Sequence, residues 1–342
     1  MVTTRKERKN EENLEVTILK TWQELALEYA KEGLRPSKIA RRIEKELGET
    51  NMYDRIYSYL RRNSVNIQRV EVKKVVEETP ADRPVVQNHE PEHISNDWKG
   101  TQTIRFALMG DTQFGSKYAQ ITHLHKFYDL CVKEGIKNVY HTGDITDGLK
   151  MRTGHEYELY AISADEQLED VVKNYPKCES ITTHFITGNH DASIYKQVGY
   201  DIGAAIARER KDLAYLGRDC AVVNLTPNCT LEMRHPWDGT AYAISYKIQK
   251  MIEAMESDSK PNILAVGHYH KAEYLFYRNV HAFQTGCFQG QTPFTRGKGI
   301  SVHMGGWLMT VTVDENGYIQ RITPEFIPFY SSIKEDYKNY RR

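Results

Sequence analysis

Three junctions between a β-prone run and a glycine constrain this chain more than any other feature of its sequence. Each apolar run ends in a glycine followed at once by metal- or proton-binding residues, in the motifs Gly188-Asn189-His190-Asp191, Gly143-Asp144 and Gly267-His268-Tyr269-His270. Such side chains are costly to bury without partners. We therefore interpret each junction as a strand end that contributes to a shared site.

Size and composition are those of a soluble globular protein. The 342 residues exceed one average domain, so we expect two folded units. The formal net charge is zero, so nucleic-acid contacts would have to come from local clusters of basic residues.

The cysteines and the apolar runs favour a cytoplasmic location. Five scattered cysteines without a CxxC motif favour a reducing environment over a disulfide framework or a zinc knuckle. No apolar run approaches the roughly 18 residues of a membrane span, and residues 1–10 lack the apolar segment of a signal peptide. We expect a cytoplasmic protein with no membrane contact.

The N-terminal part, residues 1–64, is predicted to form a small all-α domain. Apolar periodicity and glycine or proline punctuation predict helices over residues 14–29, 37–48 and 52–62. Residues 1–13 are too polar to pack. Three short helices with tight turns resemble the helix-turn-helix modules of phage and bacterial DNA-binding proteins.

Local charge in this domain suits phosphate contact. Residues 33–64 carry eight Lys or Arg (35, 38, 41, 42, 45, 55, 61 and 62) against four Asp or Glu (44, 46, 49 and 54). A helical adaptor or dimerisation unit is the alternative, and a homo-oligomer is left open. The candidate nucleic-acid contacts are Lys38, Arg41, Arg42, Arg61 and Arg62.

The rest of the chain is predicted to be a linker, a large α/β domain and a tail. Residues 65–100 form the proline-rich linker, with a β-prone piece at 70–76. Residues 101–330 begin with a βαβ unit (strand 103–109, helix 122–133, strand from 139) and end in β-rich sequence. This predicts a sandwich of two mixed sheets flanked by helices. Residues 331–342 are a docking helix or a frayed end.

Polar residues just past the predicted strands can converge, although they span 160 positions. Ligands bind at the carboxyl ends of strands in open α/β sheets. Carboxylate, imidazole and amide donors without thiolate suit divalent Mn, Fe, Zn, Ni or Mg. The converging set is Asp111, Gln113, Asp144, Asp147, Asn189, His190, Asp191, His235, His268 and His270.

Five stretches resemble, in order, the motifs of the calcineurin-like metallophosphoesterase superfamily. They are GDTQ (110–113), GDITD (143–147), GNHD (188–191), RHP (234–236) and GHYH (267–270). The resemblance implies a two-sheet metallophosphoesterase sandwich and a phosphoester hydrolase with two divalent metal ions.

The resemblance also implies a role for each matched residue. Asp111 and His270 would hold the first metal, Asp144 would bridge, and Asn189, His235 and His268 would hold the second. His190 would be the general acid to the leaving oxygen, and Asp191 would orient it through a hydrogen bond. A hydroxide between the ions would attack phosphorus in line.

Gln113 departs from the superfamily pattern, which usually has histidine there. A glutamine carbonyl can ligate the first metal, but more weakly than imidazole; the alternative is a glutamine that only hydrogen-bonds the loop. We predict that the site prefers Mn over Zn. Asp147 is expected either to ligate or to support a ligand, and His155 to be a surface or packing residue.

The substrate is inferred separately, because membership of a superfamily gives reaction type only. Residues 110–117 resemble the first motif of the DNA-repair nucleases and archaeal polymerase small subunits of this superfamily. With the helix-turn-helix-like domain, this favours a DNA phosphodiesterase, such as a phage nuclease. The alternatives are a small-molecule phosphatase or nucleotide phosphodiesterase, and a non-catalytic DNA-binding scaffold.

Overall fold

The chain divides into two units, Met1–Val85 and Val86–Arg342, each built around its own core. The structure, a computed structural model, describes residues 21–62 apart from 33, 35 and 49, together with residues 92–95, 98–256 and 259–340. The first seven residues of the first predicted helix and the β-prone piece at 70–76 lie outside this range.

The described part of the first unit holds three helices, as the periodicity predicts: α1 (Trp22–Lys31), α2 (Pro36–Leu47) and α3 (Tyr53–Arg62). Helix α1 begins with a capping box in which Thr21 and Glu24 satisfy each other's backbone amides. Apolar residues spaced three or four apart place one face of each helix inward. They form a core of Leu25, Ala26, Tyr29, Ala30, Ile39, Ala40, Ile43, Met52, Ile56 and Leu60.

The second unit contains two six-stranded mixed sheets among its described residues. One sheet has the order β12-β11-β2-β3-β4-β5 and the other β1-β6-β7-β8-β10-β9. The strands are β1 (Glu92–Ser95), β2 (Thr103–Met109), β3 (Asn138–His141), β4 (Thr182–Thr187), β5 (Leu213–Arg218), β6 (Cys220–Thr226), β7 (Cys229–Arg234), β8 (Ile263–Val266), β9 (Ala272–Tyr277), β10 (Val280–Thr285), β11 (Gly305–Val313) and β12 (Ile319–Pro328).

Helices cover the outer faces of both sheets. Alternation along the strands sets the layers, because successive side chains point to opposite faces. In β8, Ile263 and Ala265 face the core between the sheets, whereas Leu264 and Val266 pack with Ile248 of an outer helix. The helices are α4 (Ile121–Lys133), α5 (Ala164–Asn174), α6 (Asn189–Val198), α7 (Ile202–Glu209), α8 (Tyr246–Ala254) and α9 (Pro293–Gly297).

This arrangement confirms the predicted α/β sandwich with helices on its outer faces. It also adds two features that the sequence patterns missed. Strand β1 lies inside the segment predicted as a linker and pairs in parallel with β6. Helix α6 begins at Asn189, so the Gly188 junction leads directly into a helix rather than into an open turn.

Candidate metal centre

The site lies where five strands end. Strands β2, β3 and β4 are parallel in one sheet, and β7 and β8 are parallel in the other. Each ends one or two residues before a predicted ligand or its glycine. The edges of both sheets therefore supply side chains to one place, as expected for the carboxyl ends of parallel strands.

Asp144 lies at the centre of the converging residues. Its Oδ2 is 3.1 Å from His235 Nε2 and 3.2 Å from Gln113 Nε2. Its Oδ1 accepts a hydrogen bond from the backbone N–H of His190 at 2.9 Å. A carboxylate that touches predicted ligands on both sides has the position that a bridging ligand needs.

The second group of predicted ligands meets around Asn189. The Oδ1 atom of Asn189 is 3.1 Å from His235 Nε2 and 2.8 Å from His268 Nδ1. The ligand atoms of Asp144, His235 and His268 all lie within 4.8 Å of one another. The structure therefore brings together the four residues expected around the second metal.

Asp111 and His270 form the other side of the site. His270 Nε2 is 3.3 Å from Asp111 Oδ1, and both oxygens of Asp111 also accept from the backbone N–H of His268 at 3.0–3.1 Å. Gln113 is fully buried, and its contact with Asp144 places it beside this group. All the residues predicted to hold the first metal thus lie around one centre.

Five of these positions have left-handed backbone conformations although none is glycine. The φ angles are 52° at Asp111, 52° at Gln113, 55° at Asp144, 78° at His268 and 53° at His270. Such conformations cost about 1–3 kcal/mol each and cluster at functional sites. The strain fixes where these side chains point.

The donor atoms fit a cation. His235 Nδ1 lies 2.7 Å from the Thr142 carbonyl, which can only accept, so Nδ1 carries the proton. The Nε2 of the neutral ring then directs a lone pair at Asp144 Oδ2, which is itself an acceptor. A second proton or a positive ion is needed between them. Metal-binding histidines usually donate their other N–H to a carbonyl in this way.

Two orphaned atoms support the same interpretation. Gln113 Oε1 and His270 Nδ1 are buried and lack a hydrogen-bond partner among the described residues. Buried polar atoms without partners are rare and costly. The Gln113 oxygen is therefore free to bind a cation.

Electrostatics in the site follow from the crowding of buried charges. Burial favours the neutral form of His235, but the Asp144 carboxylate outweighs this and raises the pKa of His235 to about 9. A metal ion that binds His235 Nε2 must therefore displace the proton between this atom and Asp144 Oδ2. Burial alone would raise the pKa of Asp144, yet the imidazoles of His235 and His190 hold it below its usual range. The carboxylate is thus kept ionised, the state that a metal ligand requires.

Glycines at the junctions allow the strand ends to approach closely. Gly143 has a φ of +100°, and a Cβ atom there would lie 2.6 Å from His235 Nδ1. At Gly188 a Cβ atom would press against Asp144 and lie 2.6 Å from His235 Nε2. Any larger residue would displace the ligands.

His190 is oriented by Asp147, which corrects the role expected for Asp191. His190 Nδ1 donates to the Asp147 carbonyl at 2.7 Å and lies 3.4 Å from the carboxylate Oδ1. Asp191 instead accepts from the backbone amides of Ile145, Thr146 and Gly188 and from the Thr146 hydroxyl. Asp191 therefore holds two junction loops together at the start of α6.

His155, expected at the surface or in packing, is fully buried beside Asp147. Its Nε2 is 3.3 Å from Asp147 Oδ2, and its Nδ1 accepts from the Met151 amide at 3.4 Å. Gln289 Nε2 contacts the other carboxylate oxygen at 3.3 Å. His155 and Gln289 lie outside every recognised motif, so the sequence carried no signal for either of them.

A cavity of about 390 Å³ opens beside these groups. Its lining includes Asp144, Asn189, His190, His268 and His270, together with Arg152, Phe294 and Lys298. Arg152 stacks over the Phe294 ring, 4.2 Å from its centroid. A substrate of moderate size could reach the predicted ligands and His190 together.

The predicted nucleic-acid contacts lie in the first unit. Lys38, Arg41 and Arg42 are exposed on α2. Arg42 is already engaged: it pairs with Glu32 and Glu46 at 3.4 Å and lies over the Tyr29 ring. The backbones of Arg61 and Arg62 end α3, but their side chains lie outside the described residues.

Among the helices in the described ranges, every one is too short or too polar to cross a membrane.

Comparison with known proteins agrees with this geometry. Residues 104–272 match the family model described as "Calcineurin-like phosphoesterase". The chain is 26% identical over 196 residues to the DNA polymerase II small subunit of Methanothermobacter thermautotrophicus, covering 47% of this chain and 40% of the relative. It is 23% identical over 265 residues to the same subunit of Methanocaldococcus jannaschii, covering 64% and 43%.

The chain therefore spans about two fifths of the length of these curated relatives. A solved structure titled as a novel archaeal phosphodiesterase aligns at 10% identity with a TM-score of 0.38, covering 66% of this chain and 100% of that one. The matched motifs, their convergence at the strand ends and the family model all concern the same segment. Residues 104–272 thus belong to the calcineurin-like phosphoesterase family.

Proposed function

We propose that the protein is a metal-dependent phosphodiesterase that acts on DNA. The observation that carries the proposal is the convergence of acceptor atoms from Asp144, Asn189, His235 and His268 beside a cavity lined by His190. Groups of this chemistry hold divalent metals. The curated relatives support DNA as the polymer, because both are named DNA polymerase II small subunits.

The chain's residues would divide the work between metal binding and proton transfer. Asp111, His270 and Gln113 would hold one divalent ion, Asn189, His235 and His268 the other, with Asp144 between them. Ions bound there would neutralise phosphoryl charge and lower the pKa of a water nucleophile. Gln113 contributes an amide oxygen where imidazole would suit Zn, so we propose Mn as the preferred metal.

His190 would supply the proton that the leaving oxygen needs. Its Nδ1 is occupied by the Asp147 carbonyl, so Nε2 is the ring nitrogen left for the substrate. Burial disfavours the imidazolium, but the carboxylates of Asp144 and Asp147 raise the pKa of His190 to about 9. Asp147, supported by His155, would fix the ring orientation.

The first unit would bring the site to DNA. Lys38 and Arg41 are exposed and suit phosphate contact, and Arg61 and Arg62 extend the basic sequence of α3. Arg42 would contribute less, because Glu32 and Glu46 already offset its charge.

One assay separates the proposed function from its alternatives. Purified protein with Mn is incubated with labelled single- and double-stranded DNA, and in parallel with bis-p-nitrophenyl phosphate. We expect metal-dependent cleavage of both, lost in His190→Ala. Release of nitrophenol without DNA cleavage would favour a small-molecule phosphatase or nucleotide phosphodiesterase. DNA binding with no hydrolysis of either would favour a non-catalytic scaffold.

A further inference from the structure

A second cavity lies directly beside the first. It has a volume of about 510 Å³, and its lining includes Lys247 of α8, Gln284 of β10 and Lys271, which directly precedes β9. Four residues line both cavities and so form a common wall: Thr240, Tyr269, Lys298 and Ile300. A ligand bound at the metal centre could continue past this wall into the second cavity.

The second cavity is positively charged. Lys247, Lys271 and Lys298 line it together with His303, and none of its lining residues is Asp or Glu. Lys247 is offset by Asp238, 2.6 Å away in the wall of the first cavity. The remaining two lysines leave a net positive charge, which makes the cavity suitable for an anion.

Two of these lysines have no acidic partner among the described residues. The Lys271 amine donates to the carbonyl and hydroxyl of Ser301 at 2.6 and 2.5 Å, which holds it at the cavity wall. Lys298 is exposed at the common wall and forms no ion pair within the described ranges. Such amines suit the oxygens of a phosphate.

Aromatic side chains accompany the lysines. Tyr269 is buried in the common wall, where its hydroxyl donates to Asp238 at 2.6 Å. Tyr242 lines the second cavity and is fully exposed, so one face of its ring is free for a ligand. Cationic grooves with aromatic rings are typical of surfaces that bind single-stranded nucleic acid.

We propose that the second cavity, called here the lysine cavity, binds the phosphate next to the scissile one in a single polynucleotide strand. Lys298 and Lys271 contact that phosphate, and Tyr242 stacks on the adjoining base. The inference rests on the proposed function, since it requires a scissile phosphate at the metal centre. Only a substrate with linked phosphates uses both cavities, so a strand with several phosphates is preferred over one with a single phosphodiester.

The test compares two single-stranded substrates, a thymidine dinucleotide with one phosphodiester and a thymidine tetranucleotide with three. The measured quantity is the ratio of kcat/KM for the longer over the shorter. In the wild type we expect about a tenfold preference or more, because one charge-assisted contact to phosphate contributes that much. Lys298→Ala and Lys271→Ala should each reduce the ratio several-fold. Lys298→Arg, which keeps the positive charge, should retain the wild-type ratio.

Lys137→Ala is the matched control. Lys137 is exposed and precedes β3, at the opposite end of the strand from the site, so its loss should leave the ratio unchanged. Cleavage of both oligonucleotides with a ratio near one, or with a ratio insensitive to Lys298 and Lys271, would overturn the lysine cavity alone. Hydrolysis of bis-p-nitrophenyl phosphate without cleavage of either oligonucleotide would overturn the DNA-directed function and the inference together.

Discussion

The buried Asp147 carboxylate is the centre of a group of polar side chains that includes His190, the proposed proton donor. Two imidazoles and one amide surround it: His155 at 3.3 Å, Gln289 at 3.3 Å and His190 at 3.4 Å. Burial alone would raise the pKa of Asp147, but hydrogen bonds from the two histidines lower it below its usual range. An ionised partner therefore faces His190, which favours the protonated ring.

Asp147→Asn tests this arrangement. The amide keeps the shape but removes the charge that orients and protonates His190, so kcat should fall by about ten- to a hundredfold, within the range of general acid catalysis. The measurement is kcat on bis-p-nitrophenyl phosphate beside the metal content of the purified protein. Metal content should match the wild type; a parallel loss of bound metal would instead make Asp147 a ligand.

Gln113→His tests the weakest predicted ligand. The side chain is fully buried and its Oε1 has no hydrogen-bond partner in the part of the chain that the structure describes. An imidazole of similar size would therefore face the same point with a stronger donor. We expect Mn and Zn to bind about tenfold more tightly or better, measured by calorimetric titration. Gln113→Ala, as the opposite change, should weaken binding. Equal affinities in all three proteins would show that position 113 does not ligate.

The site residues divide into those that sequence motifs can reveal and those that they cannot. Asp111, Asp144 and His268 each follow a glycine within three residues of a strand end, so the strand-glycine motifs singled them out. Asp191 also lies in a motif, but its partners depend on which loop amides reach its carboxylate. His155 is eight residues from Asp147 and reaches it through a turn at Gly154. No periodicity in the sequence predicts this turn.

The N-terminus of helix α4 is capped by a residue close to the C-terminus of the chain. Gln120, at its N-terminus, makes no side-chain capping bond. Asp336 does so from 214 residues away: it accepts from the Thr122 amide at 2.7 Å and from its hydroxyl at 2.6 Å. Asp336 is fully buried, so residues near it are docked against the helix rather than frayed.

Asp336→Ala should therefore destabilise both segments. Loss of two hydrogen bonds to a carboxylate leaves the Thr122 amide unsatisfied, at a cost of about 2 kcal/mol in the free energy of unfolding. Urea denaturation gives that value, and limited proteolysis should cut the tail faster than in the wild type. Asp336→Asn keeps one acceptor oxygen and should lose less. If Asp336→Ala is as stable as the wild type, the tail does not cap α4.

Apolar patterning predicted elements that pack into a core well and an exposed edge strand poorly. Strand β2 and helix α4 were expected within a residue or two of their observed bounds, because β2 is an apolar run and the apolar residues of α4 recur at helical spacing. Strand β9 was missed: it is an edge strand whose side chains are half-buried or exposed. Strand β1 was missed because charged and proline-rich sequence surrounds it.

The division of the whole chain differs from the predicted boundaries by about 15 residues. The second unit begins at Val86 rather than at residue 101, because β1 pairs with β6 along Glu92–Ser95. We propose that residues 1–85 hold the DNA-binding unit and its connection, and that the phosphoesterase unit needs β1.

Two truncations test this boundary. A fragment of residues 86–342 keeps the backbone pairing of β1, whereas residues 101–342 leave β6 as an unpaired edge. We expect the longer fragment to be more stable by about 1–3 kcal/mol in urea denaturation, the cost of unmade strand contacts. Equal stability of the two fragments would indicate that the phosphoesterase unit begins at residue 101. The longer fragment should also bind DNA more weakly than the full chain, with a smaller dependence of affinity on salt.

The proposed metal ligands come from both sheets: Asp111, Asp144 and Asn189 follow strands of one, and His235, His268 and His270 follow β7 and β8 of the other. Ions held there would fasten the two halves of the sandwich at one rim. Binding energy would then become folding energy, and the melting temperature should rise with the logarithm of metal concentration above the dissociation constant. The melting temperature of the protein would therefore depend on the concentration of available metal, even when no substrate is present.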